Sequence, residues 1–135
     1  MKLFLVVLFT AFAAFAFAAT PQSEEDFSAA MKSVLPASGS LRSNVAAKNA
    51  DGAKADAAKL EKIFKTSEDF FAARKTQDAV DWSKQAKEAA ATIGKLAAAG
   101  DWDKIPDEQK KIQATCMACH TAHREKLPEG GYKIK

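Results

Sequence analysis

From Ser23 to Leu127 the chain repeats apolar and small residues at steps of three and four, and no Val/Ile/Thr-rich alternating run interrupts them. That period belongs to one face of a helix, and it confines the fold to packed helices. The first stripe runs through Phe27, Met31, Val34, Ser38, Leu41 and Val45. Ser23-Glu24-Glu25-Asp26 ahead of it resembles a capping box, with acids at the positive helix end. The stripe keeps its phase through Pro36, which reads as a kink in one continuous helix rather than a break. A second helix is expected after Asn49-Ala50-Asp51-Gly52, with Leu60, Ile63, Phe64, Ser67, Phe70, Phe71 and Arg74 in helical register. A third starts near Thr76, turns Trp82, Ala86, Ala89, Ile93 and Leu96 inward, and ends at Gly100. Asp101-Trp102-Asp103-Lys104 is a connector. A fourth helix begins near Pro106, a favourable first-turn residue. Its buried positions are Ile105, Ile112, Cys116, Cys119 and Leu127; Pro128, Gly130 and Gly131 stop it, and Tyr132 to Lys135 reads as a frayed tail. Short connections between helices of this length predict an all-α, antiparallel four-helix bundle.

The first residues do not share this pattern. Lys2 is followed by an apolar run from Leu3 to Ala19, broken only by Thr10, and Ala16-Phe17-Ala18 places small residues where a signal peptidase cuts. Residues 1–18 read as a secretory signal peptide and 19–135 as the domain. The alternative is a retained N-terminal anchor, since the run approaches membrane-spanning length. The leader holds five of the nine Phe, at positions 4, 9, 12, 15 and 17. The remaining chain has few bulky apolar side chains and much alanine, a thin core for its size. The formal charge of +3 includes Lys2. What is left is nearly neutral, with no basic cluster of the kind that binds nucleic acid.

Cys116-Met117-Ala118-Cys119-His120 is a C-x-x-C-H motif, the signature of c-type haem attachment. On a helix, positions i, i+3 and i+4 share a face. Two thiols there can form thioethers with the haem vinyl groups, and the imidazole then lies under the iron as its proximal ligand. Export and motif agree, because haem c is attached after export. Three other readings use the same residues. A thioredoxin-like pair needs a βαβ context, a zinc site would have to close around Cys116, Cys119, His120 and His123 from one helical strip, and a Cys116–Cys119 disulfide would be strained within a helix.

The sixth iron ligand follows by elimination. Apart from the initiator, the methionines are Met31 and Met117. Met117 lies inside the attachment motif, and His123 lies one turn past His120 on the proximal side. Met31 on the first helix or an open, water-bound iron remains. Met/His ligation raises the reduction potential and favours electron transfer over gas binding.

A C-x-x-C-H motif on the last helix of an exported four-helix bundle resembles the cytochrome c-prime superfamily. The likeness covers most of the chain after the leader in layout. It is most specific in Leu96-Ala97-Ala98-Ala99-Gly100-Asp101, followed by the motif and by Arg124. The basic residue four positions after the haem histidine is a family habit that Arg124 matches, although a cation there is also favoured by the helix dipole. Low-spin members carry Met-Lys at the distal position, here Met31-Lys32. The resemblance therefore implies covalent haem near the C-terminal helix, held by Cys116 and Cys119, with His120 proximal and Met31 distal. Many members have an arginine four residues before the distal position, where it meets a haem propionate. Here Phe27 stands there, so Phe27 and Arg124 belong to the haem surroundings, and the propionate partner passes to Lys32, Arg42 or Lys48. The resemblance also implies a homodimer through the first two helices.

The expected function is a periplasmic electron carrier with one haem c iron per chain, serving unidentified redox partner proteins. No enzyme activity, nucleic acid or, after signal cleavage, membrane association is expected. A five-coordinate NO- or CO-binding haem protein of the same fold is the alternative. A non-haem metal or thiol module is a remoter one.

Overall fold

The computed structural model describes residues 23–135; the expected leader, residues 1–18, lies outside them, as do residues 19–22. Among the described residues the chain folds into α1 (Glu24–Ala46), α2 (Ala50–Ala73), α3 (Gln77–Ala99), α4 (Ile105–His123) and two short strands, β1 (Arg124–Lys126) and β2 (Tyr132–Ile134). A single 3₁₀ turn, Trp102–Lys104, leads into α4. No helix among the described residues is long and apolar enough to cross a membrane.

The helix ends show why the chain breaks where it does. Ser23 caps α1 by accepting from the Asp26 amide at 3.0 Å. Asn49 caps α2 by accepting from the Gly52 amide at 3.2 Å. Ala50, Asp51 and Gly52 therefore form the first turn of α2 rather than a loop before it. Gly100 ends α3 with a φ of +75°, the left-handed conformation glycine adopts without strain. Helix α1 continues through Pro36. A proline inside a helix removes one backbone bond, the one to the Lys32 carbonyl. Lys32, Leu35 and Pro36 are all exposed, so water can satisfy that carbonyl.

Contact partners advance along one helix as they retreat along the next, which makes the neighbours antiparallel. Glu24 meets Arg74, Phe27 meets Phe70, and Ser40 meets Asp56 between α1 and α2. Ser67 meets Ser83 and Ala57 faces Gly94 between α2 and α3. Helix α4 packs on α3, and His123 near its end reaches Asp78 near the start of α3. The core divides into two clusters. Leu41, Leu60, Phe64, Ile93, Ile105 and Ile112 fill one end of the bundle with small alanines between them. Phe27, Phe70, Phe71 and Ala79 form the other, with Met31, Trp82, Cys119 and Ile134 against it. The buried face of α3 is Ala79, Ser83, Ala86, Ala89, Ala90, Ile93 and Ala97, which keeps Ala86, Ala89 and Ile93 of the expected stripe and puts Ser83 and Ala97 where Trp82 and Leu96 were expected. Trp82 and Leu96 sit at its edges, only partly covered. Small residues let α2 and α3 approach closely, and so the bulky pair flanks the contact instead of filling it.

The C-terminus differs from the expectation of a longer fourth helix and a frayed tail. Helix α4 stops at His123, Arg124 is extended (φ −118°, ψ 128°), and β1 pairs antiparallel with β2. Gly130 and Gly131, both at positive φ, turn the chain back, and the Leu127 amide donates to the Gly131 carbonyl at 3.1 Å. Leu127 thus lies in the hairpin turn. The Lys135 amide donates to the His123 carbonyl at 2.9 Å, so the last residue is tied to the end of α4.

One buried carboxylate joins α1 to α2. Asp56 accepts from Ser40 Oγ at 2.6 Å and Asn44 Nδ2 at 2.7 Å, with Lys59 Nζ at 3.4 Å. Burial pushes its pKa up, but the hydrogen bonds from Ser40 and Asn44 and the Lys59 charge outweigh that and hold it below the usual aspartate value. A lowered pKa stabilises the fold above the unfolded-state value of about 3.9, and that increment is lost as pH falls through the folded-state value. Asp56→Ala is expected to cost about 1–3 kcal/mol in urea unfolding at neutral pH. The cost should shrink in acid, where the wild type has lost the same increment. An equal cost at pH 7 and pH 2.5 would contradict this role.

Candidate functional site

Helix α1 packs on α2, α2 on α3 and α3 on α4, but α1 and α4 have no comparable packing against each other. The gap between them is a cavity of about 710 Å³, within the roughly 300–1,000 Å³ of small-molecule and cofactor sites. Phe27, Met31 and Lys32 line it from α1, and Thr115, Cys116, Cys119, His120 and His123 from α4. Phe71 of α2 and Trp82 of α3 contribute aromatic wall, and Arg124 with Gly131 to Ile134 closes it from the hairpin. All six residues singled out in the sequence, Phe27, Met31, Cys116, Cys119, His120 and Arg124, line this one cavity.

Helical spacing alone brings Cys116, Cys119 and His120 to the cavity wall. Both cysteines are free thiols, half-buried. Burial raises the Cys116 pKa. Burial, with the nearby Cys116 and the Asp78 carboxylate, pushes Cys119 up to about 11. Both are therefore protonated at neutral pH, unlike the low-pKa thiolates of redox catalysts. Burial, and beyond it the positive charge of Arg124, hold His120 below the usual imidazole value, so the ring is neutral and keeps a lone pair to donate. Met31 is half-buried on the facing helix and packs against the second core cluster. Phe27 is fixed by stacking on Phe70 at 4.1 Å and meeting Phe71 edge-on at 5.4 Å. Among the described residues no group of three or more His, Cys, Asp or Glu side chains is assembled to hold a metal ion.

Several features of the cavity have no signal in the sequence. His123 is partly covered: its Nε2 lies 3.0 Å from both Asp78 oxygens, and its ring packs near Phe71 and Trp82. The hydrogen bond from His123 lowers the Asp78 pKa, against a small opposing effect of burial and with help from the Ala79 amide. Ser67 and Ser83, both buried, share a hydrogen bond of 2.8 Å and put hydroxyls on the inner wall. The hairpin wall is the largest omission. Its strands are Arg-Glu-Lys and Tyr-Lys-Ile, too short and too charged to show an alternating pattern.

No protein-family model, curated protein or solved structure matches this chain.

Proposed function

We propose that the chain is a c-type cytochrome, a single-electron carrier exported to the periplasm with one haem c in the cavity between α1 and α4. One observation carries this reading: both thiols and the imidazole of a C-x-x-C-H motif line the same cavity as a methionine on the facing helix. The donor set fits the group. Cys116 and Cys119 would hold it by thioethers, His120 would be the proximal iron ligand, and Met31 the distal one. The protein would need to provide only these two donors to the iron. Haem supplies one-electron exchange at its iron. The chain's residues bind it, exclude water with Phe27, Phe71 and Trp82, and set its potential through the thioether and the neutral imidazole. We read the protein as a carrier serving a redox partner rather than an enzyme.

The raised thiol pKa values speak against a thiol-redox module, and the lack of a clustered donor set among the described residues against a zinc site. The visible spectra of the purified protein, oxidised and reduced, test the proposal. A sharp reduced α band, a weak far-red band of a methionine–iron(III) bond and no response to CO are expected. A broad high-spin spectrum that shifts with CO would make it a five-coordinate gas-binding protein instead. A spectrum without a Soret band would overturn both.

A further inference from the structure

We infer that Lys32 and Arg124 form a carboxylate-binding rim on this cavity and that the rim holds the haem propionates; the inference rests on the function proposed above. Both side chains line the cavity, from α1 and from the start of the hairpin. Neither makes an ion pair or a side-chain hydrogen bond among the described residues. The other cations close by are already engaged. Lys133 pairs with Glu125 at 3.2 Å, and Arg74 pairs with Glu24 at 3.6 Å while lying over the Phe70 ring. Arg42 and Lys48, further along the chain, do not line the cavity.

Arg124 is the more informative of the two. It is half-buried, and its guanidinium sits 3.9 Å from the centroid of the Tyr132 ring. The ring lies against the guanidinium, and the side-chain N–H donors have no protein acceptor among the described residues. These donors are open to the cavity and to solvent, since no buried side-chain donor among the described residues lacks a partner, and a carboxylate accepting two parallel bonds is the best complement of such a fork. Hence the hairpin, which no stripe in the sequence announces, completes the site. It also explains how a phenylalanine can stand at position 27. The cation that binds carboxylate comes from the hairpin, and position 27 is free to stack on Phe70.

The test measures the midpoint potential of the holoprotein from pH 4 to pH 9 in Lys32→Gln, Arg124→Gln, Arg124→Lys and, as a remote control of equal charge change, Arg42→Gln. Glu24, Glu25, Lys133 and His123 also line the cavity and are present in every variant, so the comparison is always with Arg42→Gln. A propionate that loses its cation ionises at higher pH. The pH-dependent fall in potential should move up by about one unit in Lys32→Gln and Arg124→Gln. Arg124→Lys should return most of it. If Arg124→Gln disturbs the hairpin, exposed Lys32→Gln still decides the question. Profiles in both Gln variants that superimpose on Arg42→Gln would overturn the inference alone. A protein carrying no covalent haem would overturn the proposed function and this inference together.

Discussion

A variant with Cys116 and Cys119 both replaced by alanine is expected to carry no haem after denaturation and to melt well below the wild type. The two thiols are the only cysteines in the chain, so their removal leaves no site for covalent attachment. The stability effect follows from the shape of the bundle. α1 and α4 face each other across a cavity of about 710 Å³ rather than through direct packing. A group filling that space joins the two helices and covers Phe27, Phe71 and Trp82. Losing contacts worth about 4 kcal/mol lowers Tm by roughly 10–20 °C in a domain of this size. Denaturing-gel haem staining and calorimetry read the two effects separately. A Tm within a degree or two of the wild type would mean that nothing large occupies the cavity.

Met31→Ala is expected to convert a six-coordinate iron into an open one. The thioether is the one sulfur donor that α1 brings to the cavity among the described residues, and the proposed reading commits His120 on the facing helix. The far-red methionine band should vanish, the spectrum should turn high-spin, the reduced protein should begin to bind CO, and the potential should fall. Met31 also packs against the second core cluster, so truncation costs stability of about 1–2 kcal/mol, below the 2–5 of a fully buried methionine. Val34→Ala on the same helix separates the effects. Val34 packs only against the first cluster, so it should lose stability while keeping the wild-type spectrum. A Met31→Ala protein with an unchanged spectrum would show that Met31 is only part of the core.

The helices are legible because each stripe is long and its caps are local. Ser23 announces α1 and Gly100 closes α3 within a few residues of their effects. The placement of Cys116, Cys119 and His120 on one wall is legible for the same reason, being set by helical spacing within five consecutive residues. Met31 is legible as an inward position of the first stripe. What escapes the sequence depends on tertiary pairing. Gly130 and Gly131 read as helix stops and serve as a hairpin turn, because strands of three mostly charged residues carry no period. Asp78 and His123 lie 45 residues apart and meet only once α3 and α4 are packed. The inward face of α3 shifts because alanine and glycine, which carry little hydrophobic signal, are what close packing against α2 requires. Arg124 illustrates both sides: its place after the motif is visible, but its orientation depends on Tyr132, across a turn that the sequence pattern does not reveal.

The central claim is that this cavity holds covalently bound haem. The intact mass of the exported protein, taken under denaturing conditions from cells able to attach haem c, tests it most directly. A mass above that of the polypeptide by one haem is expected, with no thiol left to alkylate. A mass equal to that of the polypeptide, with Cys116 and Cys119 both alkylated, would contradict it.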